Sequence, residues 1–257
     1  MKKRWMALLG AAVVTINLFA GCGSTGAEQT GNNADGTATE AVQGKDSAGG
    51  GNAAQSVAGS ADTVIVAMSP SSEPAAGFNP CINWGCGEHC HEPLIQSTLI
   101  RTNVDMEFEN DLATDYSVSE DGLTWTFHIR DDVKFTDGEP LTASDVAFTF
   151  NTALATPNSE ADLSMLDSVE APDDTTVIFH MSKPYNAFLY TLAVFGIVPE
   201  HCYDEAAYGE NPVGSGRYIL TQWDKGQQVV LEANPDYYGD EVQMKKVIVL
   251  FMEEDAA

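Results

Sequence analysis

From Gly23 to Ser60 the chain has no aromatic residue, and Val42 and Val57 are its only aliphatic side chains larger than alanine. A segment of Gly, Ala, Ser, Thr, Asn and Gln cannot bury enough apolar surface to offset the entropy lost on ordering. It reads as a flexible tether, so any hydrophobic core has to be drawn from residues after it. At about 5–6 Å times the square root of residue number, these 38 residues span roughly 30–37 Å. The globular part is predicted to begin near Asp62, leaving enough chain for one large domain or two small ones.

The residues ahead of the tether read MKKRWMALLGAAVVTINLFAGC. Lys2, Lys3 and Arg4 form a basic head, and an apolar run follows from about Met6 to Ala20. The run is shorter than the roughly 20 residues of a spanning helix and ends in small residues, as a secretory signal does. Its exit, Phe19-Ala20-Gly21-Cys22, resembles the bacterial lipoprotein signal, in which the cysteine thiol is acylated and becomes the new amino terminus. The usual aliphatic residue three places before the cysteine is Phe19 here. The expected division is a signal peptide over 1–21, a lipidated Cys22 with its tether over 22–61, and a folded body over 62–257. The chain is then extracytoplasmic and attached to the cell membrane through the lipid.

After the basic head, 38 acidic residues face nine Lys and Arg. So anionic a chain is not built for nucleic acid or for adsorption to anionic lipid.

Within the body, Asp62–Met68 is a β-branched run that reads as the opening strand. Residues 123–130, LTWTFHIR, alternate strictly. Leu123, Trp125, Phe127 and Ile129 are predicted inward, with His128 on the polar side. Thr142 with Asp145 fits a capping box for a helix over 143–154. Pro172-Asp173-Asp174 separates two apolar runs, 166–171 and 175–181, as a hairpin turn does. A second helix is predicted over 185–193, with Pro184 opening it, and further strands over 213–220, 228–233 and 246–251. The mixture places the chain in the α+β (mixed α/β) class with a mixed sheet and flanking helices.

The run NDLATDYSVSEDGLTWTFHIRDDVKFTDGEPLTASDVAFTFN (110–151) closely resembles the signature region of the family 5 extracellular solute-binding proteins. VPEHCYD (198–204), PVGSGRYIL (212–220) and EANPDYYGDE (232–241) continue the resemblance. Two positions depart from the family pattern: Arg217 stands where proline is usual, and Tyr238 where tryptophan is usual. The resemblance implies a two-lobed architecture of the class II periplasmic-binding-protein type. This chain would be the first lobe, ending near the hinge with the second lobe absent. It also implies a receptor of an ABC importer that captures peptides or a nickel complex and delivers it to a permease powered by a separate ATPase. Arg217 then either alters a loop near the ligand cleft or faces water.

One stretch is not absorbed by the family pattern. Residues 81–93 read CINWGCGEHCHEP, holding Cys81, Cys86, His89, Cys90 and His91 in a loop that leaves the first strand. In this fold class such a loop lies near the cleft. Three readings stand: ligands for a nickel or zinc ion, cysteines paired in disulfides with one another or with Cys202, or small semi-buried side chains. The spacing is not that of a structural zinc site. Trp84 offers either a stacking face for a ligand or a packed side chain. His180 and His201 read as structural. An alternative to the receptor is a metal-sequestering or redox-active surface protein using 81–91. The chain has no nucleophile elbow, Walker loop or H-E-x-x-H helix, so it does not read as an enzyme.

Overall fold

The computed structural model describes residues 61–75, 77–82, 93–156 and 162–253. In chain order the strands are β1 (Thr63–Met68), β2 (Ile100–Thr102), β3 (Phe108–Asn110), β4 (Ala113–Val118) and β5 (Thr124–Ile129), then helix α1 (Ala143–Ala155). There follow β6 (Leu166–Asp173), β7 (Thr176–Met181), helix α2 (Phe188–Val194), β8 (Tyr218–Asp224), β9 (Gln228–Ala233) and β10 (Lys246–Phe251).

Two four-stranded sheets organise them. The first has the order β1-β10-β9-β8, with β1 parallel to β10 and the remaining pairs antiparallel. The second, β4-β5-β7-β6, is antiparallel throughout. Strands β2 and β3 form a separate antiparallel ribbon. One mixed and one antiparallel sheet with few helices bear out the α+β class.

The larger core lies on one face of the second sheet. Trp125, Phe127 and Ile129 alternate inward on β5 and meet Val177 and Phe179 of β7 across the ladder, while His128 points to solvent. Alternation at period two makes this face continuous. Helix α1 lays Val146, Phe150 and Ala153 over it. Phe150 meets Phe179 edge-on at 5.0 Å between centroids, and Phe179 meets Phe127 at 5.6 Å and Phe188 of α2 at 5.2 Å. The start of α1 follows the predicted box: the Thr142 N–H donates to Asp145 Oδ2 at 2.8 Å. A smaller core under the first sheet gathers Ile95, Tyr218, Val229, Leu231, Val247 and Phe251.

The segment Leu94–Ile100 joins the two cores, because Ile95 belongs to the smaller and Leu99 and Ile100 to the larger. Its backbone serves neighbours on both sides. Ile95 O accepts from Gly216 N–H (2.8 Å), Leu94 O from Tyr218 N–H (2.9 Å), Ser97 O from Ile197 N–H (2.9 Å) and Thr98 O from Leu112 N–H (3.1 Å). With no room left beside it, this strip requires glycine where 212–216 crosses it.

That crossing corrects the strand predicted over 213–220. Its glycines hold the chain against Leu94–Gln96, and the ladder with β9 starts only at Tyr218 and runs on to Asp224. The second helix also starts later than predicted, at Phe188. Tyr185 is held by a hydrogen bond to Asp162 Oδ2 (3.1 Å), and Phe188 N–H closes a turn on Tyr185 O (3.2 Å). Leu123 is half-buried, not inward with its neighbours, because it precedes the ladder. Strands β2, β3 and β4 have no counterpart in the sequence prediction.

Candidate functional site

The loop that leaves β1 is fastened at its first stem by a short chain of polar contacts. Glu73 accepts from the Trp223 indole N–H (2.8 Å) and from Gly226 N–H (2.8 Å), tying the turn after β1 to the β8–β9 turn. Gly77, at φ +72, lets the backbone approach Gly209 so closely that a Cβ would stand 2.3 Å from its carbonyl oxygen. Phe78 N–H donates to that same oxygen at 2.8 Å.

Asn79 is buried and satisfied. Its Oδ1 accepts from Cys81 N–H (3.1 Å), and its Nδ2 donates to Tyr203 Oη (3.1 Å) and Glu205 O (3.4 Å). The Cys81 thiol faces the core, 3.7 Å from Thr149 O. Burial pushes it up from 9.0 to about 12, because a thiolate there would lose its hydration. Burial likewise raises the Tyr203 phenol. An open groove of about 420 Å³ borders this stem, lined by Ala75, Gly77, Ile82, Glu205, Trp223 and Lys225.

At the other stem, Gln96 Nε2 donates to Phe78 O (3.0 Å) and to Tyr208 Oη (3.3 Å), while the Tyr208 hydroxyl donates to Val213 O (2.7 Å). Ser215 Oγ donates to Ser97 Oγ at 2.9 Å. Both ends of the Cys/His loop are therefore anchored in the strip that joins the two cores.

Trp84, Cys86, His89, Cys90 and His91 lie outside the described residues. Among the described ones, Cys81 and Cys202 are separate thiols, the first buried and the second exposed. The pairing of Cys81 with Cys202 is thus not formed. Cys81 belongs to no group of three metal-type donors among the described residues. Arg217 is half-buried on the crossing strip, its guanidinium 5.4 Å from the Tyr237 ring centroid. Tyr238 stacks instead beneath Arg130, whose guanidinium lies 4.7 Å from its ring centroid.

Sequence reasoning missed the Asn79–Tyr203 pair and the meeting of Asp137, His201 and Cys202. His201 Nε2 is 2.7 Å from Asp137 Oδ2, and Cys202 Sγ is 3.9 Å from the same oxygen. Partners 64 and 124 residues apart leave no local spacing to read. The only signals were the Thr136-Asp137-Gly138 turn and the adjacent His-Cys.

Residues 107–257 match the bacterial extracellular solute-binding proteins, family 5 Middle. The probable D,D-dipeptide-binding periplasmic protein DdpA of Escherichia coli (strain K12) is 35% identical over 185 residues, covering 68% of this chain and 36% of that protein. Among solved structures, NikZ from Campylobacter jejuni in complex with Ni(L-His) superposes with a TM-score of 0.65 at 30% identity. That match covers 74% of this chain and 39% of NikZ. The oligopeptide-binding protein AppA from Bacillus subtilis, in complex with a nonapeptide, superposes with a TM-score of 0.63 at 27% identity, covering 74% and 40%. The chain thus spans well under half the length of these relatives. The fold is that of part of a class II periplasmic-binding-protein lobe. The comparisons give no support to a metal-sequestering or redox-active protein built on 81–91. The match across 107–257 carries the conclusion that this chain belongs to the family 5 bacterial extracellular solute-binding proteins.

Proposed function

We propose that this protein is the receptor of an ABC importer, held outside the membrane by a lipid on Cys22 and capturing a peptide or a nickel complex for a permease and its ATPase. The observation that carries the reading is the likeness of the described body to NikZ and AppA, both solved with a solute bound. In this reading the body supplies one wall of a cleft, and a second lobe supplies the opposing wall. Pockets between domains enclose most of a ligand's surface. Closure is favoured only by as much as the solute prefers the closed state.

The rigid parts of this wall suit that task. Gly77 against Gly209, and Gly214 against Ile95, are backbone contacts with no slack. Such contacts hold a wall in one position when solute arrives. Arg217 and Trp84 are the proposed solute contacts, and the tether over 22–61 sets how far the body ranges from the membrane. Cys86, His89, Cys90 and His91 are the proposed donors for a nickel or zinc ion, while Cys81, their neighbour in sequence, turns its thiol to the core.

Uptake measurements test the proposal. Cells lacking the gene are expected to lose import of labelled oligopeptide or of nickel, and restoring the gene to recover it. Unchanged uptake of both classes would overturn the reading. A Cys22→Ser chain is expected to appear in the medium or periplasm instead of the membrane fraction.

A further inference from the structure

Asp137, His201 and Cys202 come together at the surface from two separate segments. Asp137 sits in the turn between β5 and α1, where Gly138 takes φ +96 and Gly138 N–H closes on Phe135 O at 2.9 Å. Glu139 N–H donates to Asp137 Oδ1 at 3.2 Å, which fixes the carboxylate and leaves Oδ2 turned outward. Facing it is the short 3-10 turn Glu200–Cys202. That turn is fastened to the start of α1: Glu200 N–H donates to Asp145 Oδ1 (2.9 Å), and Ser144 Oγ donates to Glu200 Oε2 (2.7 Å). The His201 ring lies 6.0 Å from Phe135, between centroids, so its orientation is set by the same turn that carries Asp137.

The result is one imidazole nitrogen, one carboxylate oxygen and one sulfur, all within 4.8 Å of one another. A hydrogen-bonded His–Asp pair at the surface contributes roughly 0–1 kcal/mol and accounts for two of the three groups. It does not account for a thiol, a weak donor, aimed at the same oxygen from 3.9 Å.

We infer that Asp137, His201 and Cys202 form a three-donor site for a borderline divalent cation of the zinc class, open to water on its solvent side. Bonds of about 2.0–2.3 Å in tetrahedral geometry place neighbouring donors roughly 3.3–3.7 Å apart. The imidazole and carboxylate have to part by less than about 1 Å to reach that spacing, while the sulfur has to close in on the carboxylate oxygen from 3.9 Å. Protons balance simply. The thiol proton passes to solvent, the imidazole proton shifts from Nε2 to Nδ1, and the freed Nε2 lone pair and the thiolate bind the ion beside a carboxylate already ionised. A mixed N, O and S set selects zinc-like ions over magnesium or calcium, which take oxygen alone. Three protein donors leave the fourth position to water or to a donor atom of a solute. The formal net charge of −26 raises the local concentration of cations.

Cobalt(II) titration of the reduced chain, in a Cys22→Ser background, tests this site apart from the transport reading. One equivalent is expected to bind with a sulfur-to-cobalt charge-transfer band and intense tetrahedral d–d absorption, both displaced by zinc. Cys202→Ser removes the sulfur band, His201→Ala weakens binding at least tenfold, and the triple change Cys81→Ser, Cys86→Ser, Cys90→Ser leaves the band in place. Cys202 is exposed, so its serine variant is expected to keep the wild-type circular dichroism. If that variant unfolds, Asp137→Asn with its expected tenfold loss takes its place. A sulfur band that persists without Cys202, one lost in the triple variant, or no band in the starting chain overturns the site.

Discussion

A Cβ placed on Gly214 would lie 2.0 Å from the carbonyl oxygen of Ile95. The two residues meet where the crossing strip passes over the segment that joins both cores, and Ile95 O is also the acceptor for Gly216 N–H. Neither backbone can withdraw without breaking that bond or opening the smaller core. Gly214→Ala is therefore expected to lower stability by about 3 kcal/mol or more, as overpacking against backbone does. Gly138 provides the contrast. It sits at φ +96, and a Cβ added there would meet nothing within 4 Å, so Gly138→Ala costs only the backbone term, about 1–2 kcal/mol. Urea unfolding of the two variants should rank them in that order; equal losses would mean the Gly214 contact relaxes freely.

Phe179 is fully buried where β7, β5, α1 and α2 converge, with Phe127, Phe150 and Phe188 around it at 5.0–5.6 Å. Truncation leaves a cavity that three aromatic neighbours cannot collapse into. Phe179→Ala is expected to cost about 3–5 kcal/mol. Val104, 99% exposed at the β2–β3 turn, touches no core, and Val104→Ser should fall within about 0.5 kcal/mol of wild type. Thermal denaturation followed by circular dichroism checks both. A small effect at Phe179 would show that the aromatic cluster is loosely packed.

The residues that could be read in advance are those with a local pattern. Trp125, Phe127 and Ile129 alternate, and Thr142 and Asp145 sit at capping distance along the chain, as the structure has them. The hairpin read at Pro172–Asp174 is present too, but it turns at Asp174-Thr175, with Pro172 and Asp173 inside β6. Strand β4 was illegible because Asp115, Tyr116, Ser117 and Val118 are exposed on an edge and carry no apolar rhythm. The strand predicted over 213–220 failed because Gly214 and Gly216 serve a close crossing that only tertiary structure reveals. The same limit applies to the sites. Cys81 announces itself by its Cys/His neighbours, yet its thiol faces Thr149, 68 residues away. Asp137 and His201 gave no sign that they would meet.

Cys81 also makes stability depend on pH. Burial raises its thiol from 9.0 to about 12, so the unfolded chain releases this proton well before the folded one does. The contribution is complete below about pH 9 and is lost as pH rises toward 12. At about 1.4 kcal/mol per unit, the loss is at most about 4 kcal/mol. The Tyr203 and Tyr208 phenols are raised by burial as well and add their own alkaline slope. Cys81→Ala removes the thiol's share together with the part of the two phenols' rise that the neighbouring thiol causes. Urea midpoints measured at intervals from about pH 8 to pH 11 should therefore fall more steeply for wild type than for Cys81→Ala. Parallel curves would show that the thiol ionises in the folded chain as readily as in the unfolded one.

Gln96 offers a sharper test of the strip because one atom decides the outcome. Its Nε2 donates to Phe78 O and to Tyr208 Oη, linking the loop after β1 to the segment that joins the cores. Gln96→Glu keeps the shape and replaces the donor by an oxygen. Ionised, that oxygen would face a carbonyl acceptor in a buried site, at a cost of roughly 1–3 kcal/mol or more. Protonated, the new hydroxyl can donate to Phe78 O in place of the amide. The carboxyl is thus raised in the folded chain relative to the unfolded one, so its deficit should be small at low pH and grow as pH rises through the folded value. Gln96→Leu loses the donor at every pH and should show a deficit that stays flat relative to wild type. Denaturant unfolding of the three proteins at about pH 5 and pH 8 separates the cases. A Gln96→Glu deficit that does not grow with pH would mean that the side chain has turned to solvent and that this link between the two segments is not needed to hold them.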